Sequence, residues 1–269
     1  MAEASPSDPQ GVRVASAPDF WCEFIPSPRR VRVEIAGTVI ADTTRAMLYR
    51  EAGRVPVYYF PKADMRMDLM RPSQHRAQCP HRGEATHYSL KLAGREEENL
   101  LWSYEAAPGE LSVMREFCAF QWKQVDHWYE EDDEIFVHAR DPHKRVDVVR
   151  STRPVRVVLA GETVAESRRA LFLFETNWMV RYYLPPEDVR MDLLRPSQTR
   201  TSCPYKGDAV YWSAEIGGKT FDDVVWSYPE PIAECPRIKG HLCFYNERMD
   251  DIFVDGKPAA RERTRLPWQ

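Results

Sequence analysis

The chain of 269 residues lacks most of the features that would assign it a chemistry at once. No apolar run reaches the roughly 18 residues a membrane helix needs, so a membrane-spanning helix is not expected. The first twenty residues have no apolar stretch of the kind a secretory leader carries, and the expectation is a cytoplasmic protein with a disordered lead over residues 1–19. There is no basic surplus: 37 Lys and Arg stand against 41 Asp and Glu, a formal charge of −4. Neutralising a phosphate backbone needs an excess of cations, so neither nucleic acid nor an anionic membrane surface is an expected partner. Cysteine is sparse at six residues, and no CxxC pair occurs, which argues against a structural zinc knuckle. Only Cys79 and Cys203 occupy matching places in the duplication described below. A disulfide framework would be duplicated with its domain, so all six are read as thiols. Glycine is scarce at 12 residues. Neither GxGxxG nor GxxxxGK[ST] is present, so no dinucleotide or phosphate loop is expected, and no cofactor or metal is assigned.

What is present is a repeat. RMDLMRPSQHRAQCPHRG begins at Arg66 and RMDLLRPSQTRTSCPYKG at Arg190. At a constant offset of 124, Val31–Leu92 and Val155–Ile216 are identical at 27 of 62 positions, which identifies a duplication rather than a shared motif. The organisation expected is a first repeat over residues 20–150, a linker near Val148–Arg153, and a second repeat over residues 151–269. A tandem pair of this kind is expected to pack about a pseudo-twofold axis, as a monomer or a homodimer.

Each repeat reads as β-rich. In the second, Val155–Leu159, Thr163–Glu166, Ala170–Glu175, Met179–Leu184, Val210–Ile216, Val224–Tyr228, His241–Tyr245 and Ile252–Val254 are β-branched or aromatic runs separated by turn residues. Short strands at regular spacing predict an all-β fold, a small barrel or sandwich. Pro185–Leu194 is ambiguous between strand and helix and is read as a short helical turn. The acidic stretch Glu130–Glu134 is read as a solvated loop.

The repeated phrase supplies the candidate chemistry. In Cys203-Pro204-Tyr205-Lys206-Gly207 the proline favours an extended Cys203 and the glycine permits a tight bend. A cation beside a thiol favours the thiolate, so Cys203 and Lys206 are candidate reactive groups. Arg190 and Arg195 are candidates for holding an anionic or polar small molecule, because guanidinium groups match planar anions; Asp192 is expected to orient them. Tyr205, Trp212, Trp226 and Tyr245 are expected to line the pocket. The counterparts in the first repeat are Arg66, Asp68, Arg71, Cys79, His81 and Arg82. There, His75, Cys79, His81 and His87 crowd together, open to reading as a Cys–His pair, a metal site or surface substitution.

These residues resemble domain-of-unknown-function family 427, here in two copies. The resemblance rests on VRVxxAG, the RMDL(L/M)RPSQ phrase, the CP(Y/H)(K/R)G turn with its following Tyr/Trp-Ser strand, and the WSY triplet, and it runs from Trp21 to about Pro258. It implies a compact β-rich domain and brings no established reaction. A nucleotidyltransferase label is sometimes attached to that family, and none of the motifs above supports it. The second repeat keeps the pattern better. It is therefore expected to carry the site, with the first as a structural partner. The leading expectation is a small-molecule enzyme built around the CPYKG turn; the alternative is a metabolite-binding or scaffolding module without turnover, and nucleotide transfer, as the label suggests, is a second alternative.

Overall fold

A computed structural model describes residues 11–17, 20–92 and 94–261. The chain divides into two compact units, Met1–Asp141 and Pro142–Gln269. Each holds one large and one small antiparallel sheet, joined by short 3-10 turns. No helix among the described residues is long and apolar enough to cross a membrane.

In the second unit the large sheet has seven strands. They run in the order Val146–Arg150, Leu171–Glu175, Arg181–Leu184, Leu242–Phe244, Lys219–Ser227, Gly207–Ile216 and Leu194–Cys203. The small sheet holds Glu162–Ser167, Val155–Leu159, Asp251–Val254 and Lys257–Pro258. Side chains alternate across a strand, and here both faces are buried. Phe172, Tyr182, Leu184, Leu242 and Phe244 pack with the small sheet's Val155, Val157, Ile252 and Val254. Their neighbours Leu171, Leu173, Tyr183 and Cys243 point the other way, into a second core covered by Cys235 and Ile238. The covering segment folds over the sheet from Tyr228 to Gly240. Two-residue turns set the registers: Ala160 and Gly161, at φ 52° and 77°, join Leu159 to Glu162 with the twist that suits a hairpin.

The first unit repeats this plan with an eight-stranded large sheet, in which Phe20–Pro26 takes the place of Val146–Arg150 and Val12–Ala17 is the added strand. Its second core is covered by the 3-10 segment Gly109–Glu116, which contributes Leu111 and Met114.

Three expectations change. Residues 12–17 form a strand paired with Phe20–Pro26, because Val12 and Val14 pack against the second core; the rest of the expected disordered lead, residues 1–10, 18 and 19, lies outside the described residues. The expected linker is also a strand: Val146–Arg150 pairs with Leu171–Glu175, so the break between units falls earlier, after Asp141. Finally, Glu130 is not in a solvated loop. His127–Glu130 and Asp133–Ile135 form a hairpin, and the Glu130 carboxylate is buried, accepting from Tyr58 Oη at 2.7 Å and from Arg29. Pro186–Asp188 and Met191–Leu193 are 3-10 turns, in line with the helical reading of that stretch.

Candidate functional site

The repeated phrase separates into two parts with different jobs. Its first part, Leu194–Cys203 with its counterpart Met70–Cys79, is the edge strand of the large sheet. An edge strand exposes unpaired carbonyls and invites pairing with another chain. The strand carries extra residues between Pro196 and Arg200, and proline is tolerated there because an edge has spare N–H positions. Arg195 Nη1 donates to the carbonyls of Asp192 and Leu194, both at 2.9 Å. Arg200 Nη1 donates to Ser197 and Thr199 at 2.9 and 2.6 Å, and Arg76 does the same for Ser73 and His75. The arginines cover the edge. The double variant Arg195→Ala/Arg200→Ala is expected to self-associate, seen as a sedimentation coefficient that rises with concentration where the wild-type value does not.

Arg190, Asp192 and Arg195 are therefore not brought to the CPYKG turn. Arg190 and Asp192 form a two-pronged ion pair at 2.8 and 2.7 Å, with side chains 52% and 61% exposed. Leu194 pairs with Ala214 and Cys203 with Gly207, seven positions apart on the neighbouring strand, about 23 Å at roughly 3.3 Å per residue. Arg195 is taken up by the backbone and by Glu215 at 3.2 Å. In the first repeat Arg66 pairs with Asp68 in the same way, and Arg71 is exposed at the start of the edge strand. Trp212 is also misplaced by the sequence reading. It lies on the opposite face of its strand from Tyr211 and packs against the core shared with the small sheet.

The second part of the phrase does build a site. The turn closes when Lys206 N–H donates to the Cys203 carbonyl at 3.2 Å, which swings Lys206 inward. Its ammonium is buried, 8% exposed, and lies 2.6 Å from Glu175 Oε2 and 3.8 Å from Cys203 Sγ. Lys144 reaches the other oxygen of Glu175 at 2.6 Å and sits 5.0 Å above the Tyr205 ring. Burial works to raise the Glu175 carboxyl, but Lys206 and Lys144 together hold it below the usual carboxylate range. Trp226 and Tyr245 are brought together, with ring centroids 4.5 Å apart. Trp226 Nε1 donates to Tyr183 Oη at 3.2 Å. Arg181 lies 5.3 Å from the Trp226 ring and is held by both oxygens of Glu247. A cleft of about 400 Å³ is lined by Glu175 together with Arg145, Phe174, Trp178, Met179 and Val180.

The first repeat, expected to be only a structural partner, keeps the same unit with closer contact at sulfur. Arg82 Nε donates to Cys79 Sγ at 3.2 Å, and Arg82 Nη2 lies 3.3 Å from Glu51 Oε2. The guanidinium lies over the rings of Tyr49 and Tyr104 at 4.5 and 4.7 Å. Burial acts to raise the Cys79 thiol, yet the Arg82 hydrogen bond and charge and the backbone N–H groups of His81 and Arg82 carry it below its ordinary value. Burial pushes the hydroxyl of Tyr104, whose ring lies under the Arg82 guanidinium, up, so it keeps its proton. Trp102 Nε1 donates to Tyr59 Oη at 3.0 Å, as in the second repeat.

The four crowded His and Cys residues do not share a centre. His81 stacks on Phe20 at 3.6 Å, His75 and His87 meet edge-to-face at 4.4 Å, and Cys79 is held by Arg82. Among the described residues, no group of three or more His, Cys, Asp or Glu is arranged to hold a metal ion.

Sequence reasoning missed Glu51 and Glu175. The signal was available: they are identical at the repeat offset, and each ends an apolar run, MLYRE and LFLFE. It also missed Lys144 and Arg181, which have no counterpart in kind in the first repeat and so left no repeat signal.

Fold and site together define a tandem all-β protein in which each copy buries a cation between a thiol and a carboxylate. The chain belongs to the family described as Domain of unknown function (DUF427), whose model matches residues 23–131 and again 147–255. No curated protein matches the chain.

Proposed function

We propose that the protein is a small-molecule enzyme that uses Cys79 as a nucleophile toward an electrophilic carbon. The observation that carries this reading is the 3.2 Å contact from Arg82 Nε to Cys79 Sγ, with Arg82 anchored by Glu51. A fixed guanidinium stabilises a thiolate without needing a histidine base. Arg82 is fully engaged by sulfur, carboxylate and two rings, so its role is to hold charge on the thiol rather than to grip the ligand. Tyr104, protonated and packed under the Arg82 guanidinium that contacts Cys79, is the group proposed to give its proton to a leaving group. The test is incubation with a panel of small esters, thioesters and activated alkenes, followed by peptide mass analysis. An adduct on Cys79, with product release lost in Cys79→Ser, supports the reading. Adducts on no cysteine, or turnover that survives Cys79→Ser, would overturn it.

Ligand holding without turnover is a second reading, and one observation favours it for the second repeat. Glu175 there is shared by two lysines and borders the 400 Å³ cleft, a volume within the range of small-ligand sites. A polar metabolite that protects the Phe174–Val180 segment from hydrogen exchange without being consumed would identify this role.

A further inference from the structure

The second repeat places another thiol, Cys235, on the segment that covers the CPYKG turn, and the first has none at the matching position, where Leu111 stands. The covering segment meets the Cys203–Gly207 turn in antiparallel register. Gly207 bridges Pro231, and Ile232 N–H donates to the Lys206 carbonyl at 3.1 Å. Both chains then turn alike: Lys206 N–H returns to the Cys203 carbonyl at 3.2 Å, and Cys235 N–H to the Ile232 carbonyl at 3.0 Å. Counted outward from the Gly207–Pro231 bridge, Cys203 and Cys235 are each four residues away, so two like turns set two thiols opposite one another. Both side chains enter the same apolar cluster, with Ala209, Tyr211, Tyr228 and Ile238. Lys206 Nζ is 3.8 Å from Cys203 Sγ. Cys235, 2% exposed, is raised mainly by burial and is also within range of the charges of Lys206 and Cys203.

We infer that Cys203 and Cys235 are a dithiol–disulfide pair, oxidised by a hydroperoxide, that ties the covering segment to the CPYKG turn. The two residues divide the work by exposure. Half-buried Cys203 meets the oxidant. Its sulfur attacks the terminal oxygen of the hydroperoxide, the O–O bond breaks, and the leaving alkoxide takes the thiol proton as it departs as an alcohol. This leaves a sulfenic acid on Cys203. Buried Cys235 then attacks the Cys203 sulfur, the S–O bond breaks, and the hydroxide leaves as water with the Cys235 proton. Two thiols and one hydroperoxide become one disulfide, one alcohol and one water, with the two electrons accepted by the peroxide. Lys206, the cation nearest Cys203, steadies the negative charge that develops on the leaving oxygen as the O–O bond breaks. The inference does not depend on the role proposed for Cys79.

The test uses the full-length protein, titrated with cumene hydroperoxide, alkylated, digested and mapped by mass without reduction. The expected product is one linked peptide pair, Cys203–Cys235, with a loss of two hydrogens and full reversal by dithiothreitol. In Cys235→Ser, Cys203 has no resolving partner and is expected to continue to the sulfinic acid, which dithiothreitol does not reverse. Wild-type protein in which Cys203 reaches the sulfenic or sulfinic acid while Cys235 remains an alkylatable thiol would overturn the inference. So would a disulfide joining other cysteines, or no oxidation at excess hydroperoxide.

Discussion

Glu175→Gln is expected to destabilise the second unit by about 3–5 kcal/mol at neutral pH, because it leaves a buried ammonium without its counter-charge. Lys206 is 8% exposed and Glu175 9%, and Glu175 is the carboxylate that both Lys206 and Lys144 contact. A unit of this size should lose about 10 °C or more in Tm. The double variant Glu175→Leu/Lys206→Met is expected to recover much of the loss, since an apolar pair of similar volume replaces the buried ions. The pH dependence follows from the same carboxylate. Its folded-state value lies below the ordinary one of about 4.3, the direction set by Lys206 and Lys144 against burial. The stability it contributes is complete above the unfolded value and is lost as pH falls through the lowered folded value. Thermal melts of wild type and Glu175→Gln should therefore converge as the pH is taken down through that range. A Glu175→Gln melt within a degree of wild type at pH 7 would show that the pair contributes nothing.

Gly207→Ala should cost about 2–3 kcal/mol, and Gly83→Ala at the matching turn only about 1 kcal/mol. Both glycines have positive φ, 105° and 83°. They differ in what a methyl group would meet. At Gly207 a Cβ would lie 3.0 Å from the Glu230 carbonyl oxygen and 3.4 Å from the backbone of Pro231 and Ile232. At Gly83 its nearest neighbour, the Ala106 carbonyl oxygen, is 3.9 Å away. The first substitution must push a covering segment off the turn, and the second meets only backbone strain. Urea melts of the two variants side by side should rank them in that order; equal losses would mean the close approach at Gly207 carries no weight.

How much of this was legible depended on whether a residue's job left a local pattern. The hairpin at Ala160-Gly161 was readable because both flanking strands alternate and the turn residues fit. The Cys203–Lys206 contact was readable because a three-residue spacing in a Pro-Gly turn brings ends together. The strand Leu194–Cys203 was not readable. As an edge it has little to bury on either face, so no period-two pattern forms, and its arginines look like ligand arms. Repetition misled here as well. A duplicated phrase marks whatever the fold needs twice, and edge protection is needed as much as a site. Arg190 and Asp192 were grouped with Cys203 because they share the phrase, although an extended strand carries them apart. Glu51 and Glu175 reach the cation across the sheet from a distant strand, a pairing set by topology rather than by sequence distance.

The proposed chemistry turns on one thiol, Cys79. The measurement is the rate of Cys79 alkylation by iodoacetamide as a function of pH, followed by peptide mass in wild type, Arg82→Gln and Arg82→Lys, with circular dichroism confirming the fold of each. Wild-type Cys79 should titrate below the ordinary thiol value of about 8.5. Arg82→Gln should move the midpoint upward, and Arg82→Lys should fall between. A wild-type midpoint at or above the ordinary value, or one that does not move when Arg82 is replaced, would contradict the thiol–cation–carboxylate unit as the source of the protein's chemistry.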